Sequence, residues 1–575
     1  MIWTGSLKQF EPIRSTPTSP SMKSSTGKKL SPRACRDRIG GKTPPMSTEA
    51  PQSTPLPGRV NIRWWPAGVI LGLMVVAMGG VQSWSEFPFQ RRNLICLGIA
   101  GGAAGLELLW WLFLSRARWT LRLAGVTGIA LLAGTARLTL RIRGVTGDLI
   151  PIVETRWAQP STALITTGTL TSTNATSTSG TPSSSTTRLP GDYPQFLGLN
   201  RNGIVDGPSF QTNWTLYPPQ LLWKKPVGGA WSGFSVVGDL AVSQEQEGEE
   251  EMVICRHIVN GNILWKTGNS ARYFTPIAGE GPRSSPTISQ GRVVTLGARG
   301  WLQALDLSTG KRLWGTNILE FSKAGMPEWG LSGSPLVISN RVIVSAGGRD
   351  GRSLLMWHLD SGRLLASGGS SSAEYSSPYL TELAGVPQIL QFNHREISSH
   401  DSVTAQVLWN RPFGVQFPLV ANPVRVSSNR VFLSAGYGVG AELLEVSKAP
   451  SGTLEVRSIW TSKRLKAKFS NPVFRDGFIY GLNDGILACL DAKDGSQRWK
   501  EGRHGHGQGL LVGELYLLMA EHGELVLLHP TPDGPGELAR LKVFSDKTWN
   551  PIALAGDLLL VRNDREAACY RLPVR

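Results

Sequence analysis

A small residue followed by proline opens a short apolar run six times in this protein, at Ser285-Pro286, Ser334-Pro335, Ser377-Pro378, Asn422-Pro423, Asn471-Pro472 and Asn550-Pro551. Two degenerate copies start at Gly233 and Gln508, each marked five residues later by a turn, Gly238-Asp239-Leu240 and Gly513-Glu514-Leu515. The eight starts, at 233, 286, 335, 378, 423, 472, 508 and 551, lie about 45 residues apart, the period of a four-stranded propeller blade. A blade buries its faces only against its neighbours, so the repeat predicts an all-β, eight-bladed β-propeller over residues 193–575.

A second signature recurs later in each unit. Asp306 precedes Trp314 by eight residues, Asp491 precedes Trp499 by eight, and the pairs Asp401/Trp409 and His257/Trp265 keep the interval. Asp and Gly in this stretch, as at Gly310 and Gly495, make a tight hairpin between the third and fourth strands, because Gly accepts positive φ. The Trp then falls at a fixed register on the outer strand. Repetition at one offset is what packing needs, so Trp223, Trp265, Trp314, Trp409, Trp460 and Trp499 are assigned to blade–blade packing. The last unit has room for three strands only after Pro551. The strand around Leu221-Leu222-Trp223-Lys224 precedes the first start and supplies the fourth, closing the ring and removing its open edges.

The formal net charge of +17 would suggest nucleic acid, but residues 1–147 hold 19 Lys+Arg against 5 Asp+Glu, and the remainder is nearly neutral. The charge borders apolar runs and has no aromatic-basic binding motif with it, so nucleic acid is not an expected partner. Residues 1–63, rich in Ser, Thr, Pro, Lys and Arg, are expected to be a disordered basic tail. Residues 64–140 read as a membrane anchor of two or three transmembrane helices: Trp64 to Trp84, Leu94 to Leu114 around Glu107, and a weaker run from Trp119 to Leu140 bordered by Arg122 and Arg137. Eleven Lys+Arg in residues 1–65 place the N-terminus in the cytoplasm. Three spans then put the rest on the extracytoplasmic, periplasmic side of the cytoplasmic membrane, and two would keep it inside. Residues 141–192, with a long Ser/Thr-rich stretch, read as a flexible linker.

The loops that enter each innermost strand rim one end of a propeller's channel. Within three residues before the starts they offer Trp231, Arg283, Tyr375, Phe469, His506 and Trp549. Such a ring suits binding of a planar or anionic group by stacking and Arg contacts; the alternative is that the same side chains fill the channel as packing. No catalytic residue and no metal site is assigned. His504 and His506 have no third ligand nearby, and no nucleophile elbow, P-loop or zinc-protease motif is present. The acidic run Glu245 to Glu251 reads as a solvated hairpin tip, and Asp564 to Glu566 as an exposed turn.

With these elements in place, Leu305 to Trp314 and its copy Leu490 to Trp499 resemble the pyrroloquinoline-quinone (PQQ) repeat family, which includes quinoprotein alcohol dehydrogenases and BamB-like barrel-assembly lipoproteins. Tyr193 to Gly203, Gly436 to Gly440, Gly505 to Gln508 and Asn563 to Glu566 are similar to a membrane-anchored bacterial subgroup of PQQ-binding-like propellers. The resemblance implies the fold and names PQQ as a family cofactor. For the dehydrogenases the resemblance implies adjacent cysteines beneath the quinone, a calcium held by Glu and Asn, and a catalytic Asp; here Cys35, Cys96, Cys255, Cys489 and Cys569 are scattered, and no resident cofactor is expected. The function expected is a non-catalytic binding or scaffold module for a protein, peptide or glycan of the cell envelope. The alternative is a PQQ-dependent dehydrogenase-like enzyme or a small-ligand-binding propeller.

Overall fold

From Ser235 onward short strands, the second and third of each unit almost continuously buried, form eight antiparallel blades, at residues 235–270, 287–317, 336–368, 379–412, 424–462, 473–503, 508–542 and 553–571, the last of which takes its fourth strand from before the first. The computed structural model describes residues 62–84, 89–157, 191–414 and 418–575. The tail expected over 1–63, apart from its last two residues, and the linker stretch 158–190 lie outside the described residues. Each predicted start sits at, or up to two residues before, an innermost strand. Fully buried Val, Leu, Ile and Ala on the second and third strands form the cores between blades.

Among the described residues three helices come first: α1 (Trp65–Ser83), α2 (Phe89–Leu109, extended by a π-helical turn to Leu114) and α3 (Trp119–Thr139). All three are long and apolar enough to cross a membrane, including the third, weaker run. Directly after α3 the backbone forms a hairpin, β1 (Leu140–Val145) and β2 (Pro151–Thr155). This corrects the expected linker, whose first part is ordered: Leu140 and Ile142 alternate with Arg141 and Arg143, the register shifts between Ile142 and Gly144, and Gly147-Asp148 makes the turn.

The segment at 193–205 crosses the channel at the C-terminal ends of the innermost strands. Tyr193 pairs with Val236 of blade 1, and β3 (Ile204–Val205) adds in parallel to the innermost strand of blade 7. Arg201 lies between them, fully buried, its guanidinium donating to the carbonyls of Ser334, Pro335 and Pro378. Burial without an acidic partner pulls it down to about 9.

Closure is made by β4 (Gln220–Pro226), which pairs antiparallel with Glu566–Arg571, setting Trp223 opposite Cys569. The repeated Trp residues show why the Asp…Gly turn recurs. Trp223, Trp265, Trp314 and Trp460 donate Nε1–H to Ile258, Leu307, Leu359 and Ala492 in the third-to-fourth turn of the following blade. Each indole lies under that turn's glycine, Gly261, Gly310, Gly362 or Gly495. A β-carbon on Gly495 would come within 2.6 Å of Trp460. These glycines are therefore required twice, by positive φ and by the close approach of an indole. Trp499 donates to Thr531 of blade 7 in the same way. Trp409 differs: its Nε1–H goes to Gln388 of its own blade, because the next blade replaces the Asp…Gly turn by the longer strand pair Gly440–Lys448 and Leu454–Ser462.

Two acidic segments expected at the surface are only partly so: the tip at Glu249 and Glu250 is exposed, but Glu245 and Glu251 are buried, and Asp564 to Glu566 are half-buried. Glu245 and Glu251 alternate inward on blade 1. Glu245 meets Arg256 at 3.2 Å and Arg562 at 3.8 Å, which supplies the counter-charge that burial demands. Asp564 is tucked against Arg143 of β1 at 2.7 Å. Cys96, Cys255, Cys489 and Cys569 are buried free thiols.

Candidate functional site

The loops that enter the innermost strands converge on one end of the channel, and all six residues expected there are brought together. Trp231 packs on Trp549 with ring centroids 5.0 Å apart, Trp549 on Phe469 at 5.0 Å, and Phe469 on His506 at 5.1 Å. Across the ring Tyr375 packs on Trp329 at 5.4 Å, and its hydroxyl accepts the Trp329 N–H. Arg283 lies over Tyr273 at 4.2 Å and donates to the carbonyls of Ala278, Gly279 and Gly281. Burial pulls its guanidinium down to about 10, against the opposing fields of Tyr273 and Glu251.

Neither an open funnel nor simple side-chain packing describes this mouth, because it holds the β1–β2 turn. The Gly147 N–H donates to Glu521 Oε1 at 2.5 Å, and the Gly147 carbonyl accepts from Lys468 Nζ and from Gln90 Nε2 of α2. The Val145 carbonyl accepts from Lys547 Nζ at 3.0 Å. Glu521 also accepts from the His506 N–H and from Trp549 Nε1, so one carboxylate ties the turn to the ring. The Asp148 carboxylate faces His506 Nε2 and Arg503, each at 3.4 Å. Burial raises its pKa, but the His506 hydrogen bond and the charges of His506, Lys468 and Arg503 outweigh this and hold it below the usual carboxylate value. Lys468 sits over Tyr437 and Phe469, Lys547 over Trp231 and Trp549 at 4.8 and 4.0 Å. Burial pulls both ammonium groups down to about 8.

Beneath the turn lies a cavity of about 270 Å³, walled by Trp231, Arg283, Trp329, Tyr375, Phe469 and Trp549 and floored by Phe196 of the opposite segment. His506 stands beside it. Sequence reasoning missed Lys468, Lys547, Glu521, Trp329 and Tyr437. The two lysines lie four residues before Pro472 and Pro551, one position beyond the window that found the other six.

A quinone–calcium site does not fit this arrangement. The cavity wall carries no carboxylate among the described residues. The Asn471 side-chain oxygen is committed to the Asn422 N–H at 2.8 Å, and the Arg283 donors are committed to backbone carbonyls.

The geometry defines a class: an eight-bladed propeller joined to apolar helices and closed at both channel ends by its own polypeptide. Within it, residues 250–501 match the protein family described as outer membrane protein assembly factor BamB. Among solved structures, BamB from Moraxella catarrhalis is similar at 14% identity, covering 62% of this protein and 100% of its own length, with a TM-score of 0.46. The quinohemoprotein alcohol dehydrogenase ADHIIG from Pseudomonas putida HK5 is similar at 10% identity, covering 67% of this protein and 81% of its own length, with a TM-score of 0.50. At these identities the likeness is one of fold. No curated protein matches the sequence.

Proposed function

We propose that the protein is a membrane-anchored, non-catalytic binding module, whose propeller stands on the extracytoplasmic side and whose channel mouth binds a turn of polypeptide from a cell-envelope protein. The observation that carries this reading is the chemistry of the mouth. Two lysines and a glutamate address backbone carbonyl and N–H groups, aromatic rings surround them, and His506 with Arg503 addresses a carboxylate. Those are the elements of peptide recognition, and the turn of this protein that they hold supports the reading. Three helices, the basic residues Arg116 and Arg118 between α2 and α3, and Arg122 in the first turn of α3 support the extracytoplasmic placement. The same features favour binding over PQQ-dependent oxidation, for which the donor set is unsuited.

The test is capture of a peptide by the full-length protein, in lipid nanodiscs, with residues 140–156 replaced by a Gly/Ser spacer. The synthetic peptide of residues 140–156, labelled, should bind, and the added replacements Lys468→Ala and Lys547→Ala should abolish binding. Reduction of an artificial electron acceptor on addition of PQQ and calcium would refute the reading.

A further inference from the structure

The β1–β2 hairpin is held in an unusual way. Its stem buries little apolar surface: Leu140, Ile142, Ile150 and Val153 are all exposed, and a lone two-stranded hairpin is marginal in water. Its turn residue Leu149 has φ +60°, a conformation unfavourable for a residue with a β-carbon. What fixes it is polar. The tip makes the contacts with Glu521, Lys468, Lys547, His506 and Arg503 described above, Asn93 of α2 donates to the Asp148 carbonyl at 2.9 Å, and the stem is clamped by Arg143 on Asp546 and Asp564 and by Arg565 on Glu154 at 2.6 Å. An element held mainly by polar and charged contacts over an aromatic ring, with no core of its own, belongs to the low-stability end of a structure.

We propose that the hairpin is a displaceable internal ligand: its Gly147-Asp148 turn occupies the mouth as a latch, and the partner that replaces it presents an acidic turn of the same kind, a glycine followed by a carboxylate. This rests on the peptide-binding reading above and adds the chemistry of the partner and the regulation of the site. Gly147 specifies the register, because a β-carbon there would overlap the His506 ring; only glycine lets the backbone settle onto Glu521 and Lys468. The following carboxylate meets the His506 imidazole and the Arg503 guanidinium, each at 3.4 Å. Because the latch is part of the same polypeptide, it competes at a high effective concentration and depresses the apparent affinity for a ligand added from outside.

The experiment uses full-length protein in nanodiscs and the labelled 140–156 peptide, read by fluorescence anisotropy, with hydrogen exchange of segment 143–149 measured in parallel. Two variants release the latch by different routes. Gly147→Leu drives the turn out of the mouth by overlap with His506, and Arg143→Glu sets a negative charge against Asp546 and Asp564 while leaving the mouth intact. If the latch is closed in at least about nine molecules of ten, both variants bind the peptide about tenfold or more tighter than the wild type, and the Asp148→Asn peptide binds them more weakly than the native one. Equal affinity of wild type and both variants overturns the latch and leaves the peptide-binding reading standing. No binding by either variant, with segment 143–149 exchanging freely, overturns both. Continued protection of that segment in both variants overturns the latch as well, since these contacts are then not what holds it.

Discussion

Replacement of Gly495 by alanine tests the reason for the repeated Asp…Gly turn and Trp. Gly495 has φ +72°, and an added β-carbon would approach Trp460 to 2.6 Å. Gly513, in the next blade, provides the control: its φ is +56°, and nothing lies within 4 Å of a β-carbon there. Alanine at Gly513 carries only the left-handed backbone cost, about 1–2 kcal/mol. Alanine at Gly495 carries the same cost plus overpacking against a partly buried indole, a further ~1–3 kcal/mol. Urea denaturation of the two variants should therefore separate them by about 1–3 kcal/mol, with Gly495→Ala the less stable. Trp460→Leu in the Gly495→Ala background should recover most of the difference, because the space occupied by the ring is vacated. Equal destabilisation at Gly495 and Gly513 would refute the claim that the indole, beyond turn geometry, requires glycine in the motif.

Removing the closing ring, Trp223→Ala, should cost on the order of 3–5 kcal/mol and expose 220–226 to limited proteolysis before any other strand; uniform loss across the blades would argue against closure by that strand. Glu245→Ala leaves Arg256 and Arg562 buried without their acid and should destabilise by about 3–5 kcal/mol, whereas an effect within ~0.5 kcal/mol would place the pair in effectively solvated surroundings. Burial raises Glu251 to about 7 from 4.5, against a hydrogen bond from Ala298 N–H and the charges of Arg283 and Arg299. A carboxyl with a raised folded pKa takes up its proton more readily in the folded state, so its contribution is full below pH 4.5 and is lost as pH rises towards 7. Glu251→Gln should accordingly raise stability at about pH 8, by up to about 3 kcal/mol, and have little effect at about pH 4; the opposite trend with pH would contradict the assignment.

The blade count, the closing strand and the six mouth residues were legible because each follows from a repeat: a start every 45 residues or so fixes where the innermost strands begin, and the loops before them must share one end of the channel. The occupant of the mouth was not legible, because Leu140 to Thr155 belongs to no repeat and sits between a long apolar helix and a Ser/Thr-rich run whose composition dominates the region. Its pairing with Lys468 and Glu521 spans more than 300 residues and leaves no local signal. The buried Glu245 and Glu251 were misread for a related reason: their run is acidic, but its alternation turns both inward, and one of the arginines that meets Glu245, Arg562, lies in the last blade. Trp409 kept the eight-residue interval and packs against the next blade, but its indole N–H bonds Gln388 of its own blade, since interval reports the register of its own blade and not the turn of the next.

Whether the channel mouth grips a polypeptide turn through backbone hydrogen bonds is measured most directly by hydrogen exchange of segment 143–149 in the full-length protein, in lipid nanodiscs. That segment should be protected in the wild type. Glu521→Gln, which weakens the acceptor of the Gly147 N–H, should speed its exchange about tenfold or more, as expected for loss of roughly 1.4 kcal/mol or more from a charged hydrogen bond. Exchange in the wild type as fast as in an unstructured peptide, unchanged by Glu521→Gln, would contradict the grip.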